Sequence, residues 1–142
     1  MIVLDTNVTS ELMRTAPSRA VSDWVREQRP GDLYTTAVTV AEISYGLARL
    51  PKGRRKDRLV DAAREAFSGF AEHVLPFDNA AAIEYAAIVI ERERRGIPIN
   101  GFDAQVASIC RTRNATLATR NVKNFDRTGV NLTNPWKLPG GQ

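Results

Sequence analysis

The apolar residues of this chain fall into short unbroken runs that alternate with longer stretches at helical spacing. Ile2-Val3-Leu4 is the first run, and three consecutive apolar residues suit a strand buried on both faces of a parallel sheet. Thr6 to Met13 reads as a short helix, broken at Thr15-Ala16-Pro17. Ser18 can cap a second helix with Val21, Trp24, Val25 and Gln28 on one face, and Pro30-Gly31 ends it. Leu33-Tyr34-Thr35-Thr36 is β-prone and predicts a second strand. A third helix is expected from Thr39-Val40-Ala41-Glu42, with Val40, Ile43, Leu47 and Leu50 as its apolar stripe. After the break at Pro51-Lys52-Gly53, Leu59, Ala63, Ala66 and Phe70 mark one face of a fourth.

His73 to Phe77 predicts a short third strand. Asp78 or Asn79 then caps a long fifth helix with Ile83, Ala87 and Ile90 aligned, stopped by Gly96 and Pro98. Asp103 opens a sixth helix bearing Val106, Ile109 and Cys110. Ala115 to Thr119 is a fourth strand and Val130 to Thr133 a weak fifth, with a polar loop from Asn121 to Gly129 between them. Strands alternating with helices imply an α/β fold, a parallel sheet of about four to five strands flanked by helices on both faces. Right-handed crossovers place the carboxyl ends of all strands along one edge. A single domain is expected over residues 1–138, with a Gly-rich tail at 139–142 expected to fray.

Composition narrows the class. The 142 residues suffice for one domain with its own core, and 43% hydrophobic with 25% charged content is ordinary for a globular protein. The first residues carry no basic segment of the signal-peptide kind, and no apolar run approaches the roughly 18 residues of a membrane span. The single cysteine, Cys110, cannot form an internal disulfide, so a cytoplasmic home is expected. A net charge of +4 and a pI near 9.6 favour an anionic partner such as nucleic acid, though only mildly.

The candidate chemistry lies at the shared strand edge. Asp5 ends the first strand, Glu42 lies in the first turn of the third helix, Asp103 begins the sixth, and Thr119, Arg120 and Asn121 end the fourth strand. Each acid has a plain alternative: Asp5 and Asp103 as helix caps, Glu42 as the back-reaching member of a Thr39-x-x-Glu42 capping box. Jointly they suggest more. Carboxylates roughly 4 Å apart repel by about 4 kcal/mol per pair at an effective dielectric near 20, so a cluster needs protons or a cation. All-oxygen sites suit Mg²⁺ or Mn²⁺, the ions used at substrate phosphates. His73, the only histidine, sits in an apolar run and reads as structural, and Cys110 as packing. No Gly-rich phosphate loop is present. Arg54, Arg55, Lys56 and Arg58 read as a solvated helix start. Arg111, Arg113, Arg120, Lys123 and Arg127 are expected to flank the acids and hold a phosphate backbone.

These motifs resemble a family. Ile-Val-Leu-Asp5-Thr-Asn7, Val40-Ala-Glu42-Ile-x-x-Gly46, Ile97-Pro-x-x-x-Phe-Asp103-Ala, Leu117-Ala-Thr119-Arg-Asn121-x-x-x-Phe125 and Asn134-Pro-Trp136 follow the order of a PIN domain, more narrowly of the VapC/FitB-type toxins of type II toxin–antitoxin operons. The resemblance spans nearly the whole chain. It implies a Mg²⁺- or Mn²⁺-dependent endoribonuclease acting on single-stranded RNA, commonly a homodimer, inhibited by a cognate VapB/FitA-like antitoxin. Asp5, Glu42 and Asp103 match the family's three acids as metal ligands, with Thr119 and Asn121 assisting in orientation. Where relatives usually carry a fourth acid this chain has Asn121; Asn124 is likewise an amide, and Asp126 stands one step beyond Phe125. Losing that carboxylate weakens a second metal site. Two other readings stay open: a catalytically weakened RNA- or partner-binding PIN-like protein, and an aspartyl-phosphate phosphohydrolase, whose second acid would stand where this chain has Asn7.

Overall fold

Residues 1–137 are described by a computed structural model; the tail expected to fray at 139–142 lies outside them. Strand and helix alternate from the second residue. They run β1 (Ile2–Leu4), α1 (Thr6–Leu12), α2 (Arg19–Glu27), β2 (Leu33–Thr36), α3 (Ala37–Ala48), α4 (Arg54–Ser68) and β3 (Val74–Leu75). Then follow α5 (Asn79–Arg94), α6 (Gly101–Arg113), β4 (Thr116–Ala118) and β5 (Asn131–Thr133), with 3₁₀ turns at Pro30–Asp32 and Val122–Phe125. The five strands form one parallel sheet in the order β3-β2-β1-β4-β5. The chain works outward from β1 in one direction and then returns to build on its other side. The carboxyl end of β1 is therefore the switch point of the sheet, where open α/β sheets form a crevice.

Both faces of the sheet are covered, which is why the central β1 is an unbroken apolar run. On one face Val3, Leu75 and Leu117 pack with Ala81 and Ile88 of α5 and Val106, Ile109 and Cys110 of α6. On the other, Leu4, Leu33 and Ala118 pack with Val8, Val21 and Trp24. A smaller cluster of Met13, Ile43 and Ala63 joins α1, α3 and α4. Among the described residues no helix is long and apolar enough to cross a membrane.

Four local expectations are corrected. The third helix starts at Ala37, because Thr36 rather than Thr39 is its cap, the Thr36 hydroxyl accepting from the Thr39 amide at 3.1 Å. The sixth starts at Gly101 under an Asn100 cap, so Asp103 is its third residue and not its cap. Ser18 stands at the head of α2, but its side chain makes no capping bond. In α5 the aligned Ile83, Ala87 and Ile90 are exposed, Ile83 by 67%, while Ala81, Ile88 and Arg92 are buried. Ile83 follows Ala81 by two residues, about 200° around a helix, so the stripe chosen from sequence lies opposite the one that meets the sheet. Both faces are apolar, and only packing distinguishes them.

Leu117 is fully buried in a strand with neighbours on both sides. Leu117→Ala should lower the unfolding free energy by about 3 kcal/mol in a urea titration, the scale of a core cavity that cannot collapse. A loss below about 1 kcal/mol would show that the sheet relaxes around it.

Candidate active site

Asp5 follows β1 directly and caps α1, its Oδ1 accepting from the Thr6 amide at 2.9 Å. Its Oδ2 accepts from the Thr119 hydroxyl at 2.8 Å. Only 6% of the residue is exposed, and burial raises its pKa above the usual carboxylate range against the lowering effect of both hydrogen bonds. Thr119 is itself fully buried at the end of β4. Besides donating to Asp5 it accepts from Asn7 Nδ2 at 3.2 Å and from the Asn121 amide at 3.1 Å. One donation and two acceptances exhaust a hydroxyl. Thr119 is thus committed to holding Asp5 and has no valence left to orient a water. Asn7 is also committed, since its Oδ1 accepts from the Arg120 amide at 3.2 Å.

A second chain of hydroxyls reaches Glu42. Thr6 Oγ1 donates to Glu42 Oε1 at 2.9 Å and lies 3.1 Å from Thr39 Oγ1, which in turn lies 3.5 Å from Thr36 Oγ1. Glu42 therefore serves a side chain of α1 and not the backbone of its own helix, contrary to the capping-box reading. Asp103 is held by Asn100, whose Nδ2 donates to Oδ2 at 2.9 Å while its Oδ1 accepts from the Asp103 amide at 2.8 Å. Glu42 and Asp103 line one hollow of about 350 Å³ with Asn100, Gly101, Phe102 and Gln105.

All three acids have raised pKa values, and the charge of Asp5 contributes to the shifts of the other two. Glu42 is raised by burial and then by Asp5. Asp103 is pushed from 3.8 up to about 6 by burial, by Asp5 and by Glu42, against the lowering effects of Asn100 and Arg92. They remain an open arrangement: among the described residues no three acidic, His or Cys side chains stand close enough to form a metal cluster. Their chemistry nonetheless fits a hard divalent cation, with all-oxygen donors from three elements and charge repulsion that a cation would relieve. Asp5 is less suited to nucleophilic attack, because both its oxygens already accept hydrogen bonds.

Other predicted residues are distributed differently. Asn121 is exposed and is tied to the site through its backbone amide. Arg120 is exposed at the same edge, its guanidinium 4.9 Å from the centroid of the Trp136 ring. Lys123 is exposed in the 3₁₀ turn that follows. Arg111 and Arg113 are not brought to the acids. They end α6, which runs back from the site, so some ten residues at 1.5 Å each put them about 15 Å away. There Arg111 pairs with Glu84 at 3.0 Å and Arg113 with Asp78 at 3.9 Å. Arg127 lies 4.0 Å from Asp126. His73 stacks on Tyr34 and donates from Nδ1 to the Leu33 carbonyl at 2.8 Å, a structural role. Cys110 is buried, which pushes its thiol pKa up.

Sequence reading missed Arg92. It is buried at the end of α5 and donates to the carbonyls of Ile97 at 2.6 Å, Asn124 at 2.8 Å, Asp126 at 2.9 Å and Pro98 at 3.4 Å. It thereby ties the segment leading to Asn100 to the turn after Asn121. The signal was available: Arg92 follows Ile88 by four residues on the stripe that meets the core, where a charge needs a reason.

Comparison with known proteins agrees with this architecture. A family model described as PIN domain matches residues 2–131. The chain is 38% identical to the VapC ribonuclease Y4jK of Sinorhizobium fredii over 138 residues, covering 96% of this chain and 99% of that one. It is 36% identical to the toxin FitB of Neisseria gonorrhoeae over 137 residues, covering 96% and 99%. The solved structure of FitAB bound to the IR36 DNA fragment superposes with a TM-score of 0.91 at 35% identity, covering 100% of both chains.

The raised pKa of Asp103 has a consequence for stability. Between about pH 3.8 and 6 the folded state holds this proton more tightly than the unfolded chain, so stability from this group is full below that window and lost as pH rises through it. In metal-free buffer Asp103→Asn should therefore unfold at higher urea than the parent at pH 7.5, with the difference vanishing toward pH 4. An equal loss of stability at both pH values would mean that the carboxylate serves only the helix start.

Proposed function

The chain belongs to the PIN domain family, in its VapC/FitB-type toxin–antitoxin branch, and from that premise we propose that it hydrolyses RNA phosphodiester bonds as a Mg²⁺-dependent endoribonuclease toxin, with Mn²⁺ as the alternative ion. One observation carries this reading: three carboxylates, from the end of β1, α3 and α6, share one sheet edge, all with raised pKa values, Asp5 acting on the other two. Asp5, Glu42 and Asp103 would hold the ion. When bound, it would supply Lewis-acid activation and neutralise charge developing at phosphorus.

The protein's own contribution is orientation. Thr119 and the Thr6 amide fix both oxygens of Asp5, the Thr6 hydroxyl aims Glu42, and Asn100 holds Asp103. Preorganised groups of this kind lose little energy to rearrangement when charge moves. Arg120, exposed beside the acids and steadied by Trp136, would take a substrate phosphate, with Lys123 next to it. Arg111 and Arg113 would act on RNA only beyond the cleavage site, because their carboxylate partners hold them at the far end of α6.

A cytoplasmic location, in keeping with the single free cysteine, is part of the proposal; so is a VapB/FitA-like antitoxin, supported by the likeness to the solved FitAB complex. So is a homodimer, for which the exposed Ile83 and Ile90 of α5 offer an apolar face. Asn121 favours a second reading, a protein that binds RNA and cleaves it slowly or not at all, since an amide stands where the family resemblance implies an acid.

With purified protein, single-stranded RNA and Mg²⁺, Asp5→Ala and Asp103→Ala should each lower the cleavage rate by about a hundredfold or more, the scale of removing one charge-stabilising group. Both should also relieve growth inhibition on induction. Undiminished cleavage by the two variants would sink the assignment of the site. RNA binding by the parent with no cleavage in saturating Mn²⁺ would instead select the second reading.

A further inference from the structure

Two exposed aromatic rings stand beside the acids, and the proposed cleavage chemistry makes no use of them. Tyr45 on α3 is 64% exposed, and Phe102, the second residue of α6, is 54% exposed. With Ala41 and Glu42 they line a hollow of about 590 Å³. It adjoins the acidic hollow, for Glu42 and Phe102 line both. Ala41 and Tyr45 are four residues apart on α3, hence stacked on one side of the helix, and Phe102 immediately precedes Asp103. Large apolar rings left in water next to a polar centre mark a binding surface more often than an accident of packing.

A third group sets the occupant. The Arg49 guanidinium lies 5.3 Å from the centroid of the Tyr45 ring, a cation–π contact that keeps a positive charge at the rim of the apolar hollow. Flat apolar rings, a cation beside them and acids on the other side form a series that a nucleotide matches: the bond to be cut at the acids, the base on the rings, and the neighbouring phosphate at the cation. The geometry points to a nucleobase subsite, in which the base adjoining the cleaved bond lies on Phe102 and Tyr45 while Arg49 takes its neighbouring phosphate. This rests on the ribonuclease reading and gives its single-stranded substrate a structural ground. Only a base released from its own helix can enter, so the subsite selects unpaired loops or single strands. Because every base has a π-face, it selects by stacking and tolerates different bases.

The test pairs a missing base with a missing ring. Initial cleavage rates are measured on a single-stranded oligoribonucleotide and on copies carrying one abasic residue at each position in turn. For the parent, the abasic residue beside the cleaved bond should raise KM about tenfold, the size of one base–aromatic stack. In Phe102→Leu, which keeps apolar volume but no ring, the intact oligonucleotide should show that rise already and the abasic residue should add nothing. Phe102→Tyr should restore the parental pattern, and Tyr45→Leu should give a smaller version of the loss. The proposal is overturned if the abasic penalty is the same in Phe102→Leu as in the parent. It is also overturned if the ring variants shift only the monomer–dimer equilibrium, or only the grip of an inhibitory protein, with RNA kinetics unchanged. Absence of any RNA cleavage by the parent in Mg²⁺ or Mn²⁺ would remove the ribonuclease reading itself and the subsite with it, an outcome distinct from cleavage that ignores the rings.

Discussion

The hydrogen bond from the Thr119 hydroxyl to Asp5 is the constraint on which the candidate site depends. A carboxylate with 6% exposure at the centre of a sheet edge is costly unless its oxygens are met, and burial already raises its pKa. Thr119 meets one oxygen and the Thr6 amide the other. The same hydroxyl receives Asn7 from α1 and the Asn121 amide from the turn after β4, so one buried atom joins β1, α1, β4 and that turn. Asp5 and Asn7 lie more than a hundred residues from Thr119 in sequence. They meet because β4 pairs directly with β1 in parallel register, Leu4 opposite Ala118, which brings Asp5 level with Thr119.

Arg92 performs the complementary task for the rest of the edge. Its guanidinium is satisfied by backbone carbonyls and by no carboxylate, so its charge is not cancelled locally. Hence it lowers the pKa of Asp103 at the same time as it pins the segments on either side. Arg111 and Arg113 do the opposite: each is paired with a carboxylate of α5, Glu84 or Asp78, and lends its charge to helix packing. Buried without an acid and exposed with one, arginines of the same helical pair serve different ends.

Much of this was legible in the sequence because the signals were local. Ile2-Val3-Leu4 before Asp5 announces a buried strand and its carboxyl end, and the fold class follows from the alternation of such runs. The acids were legible for the same reason: each stands where a strand ends or a helix begins. What failed were choices between nearby equivalents. Thr36 and Thr39 are both competent caps, and only the backbone of β2 decides for Thr36. Ile83-Ala87-Ile90 is as apolar as the stripe containing Ile88, and only the position of α6 decides which is buried. Arg111 and Arg113 were misplaced because sequence proximity to Asp103 hides the direction in which α6 carries them away. Thr6 as the partner of Glu42, and Arg92 as a clamp on carbonyls, are long-range contacts with no local signature.

Charge balance links these details to the amide at position 121. On the proposed reading, one dication among Asp5, Glu42 and Asp103 leaves a single negative charge, and the nearby Arg92 brings the centre close to neutral. A fourth carboxylate at 121 would restore an excess that only a second cation could offset. Asn121 offers an oxygen without that excess, on an exposed side chain tied to the site by its backbone alone. On the proposed reading the site would be balanced for one ion, with the charge of the residue at 121 counting for more than its reach. With a single ion held by these acids, the protein's own cations would share in meeting the charge of a substrate phosphate. Arg120 is exposed at that edge, so on this reading its stacking on Trp136 would serve the electrostatics of the site as well as the packing of the chain end.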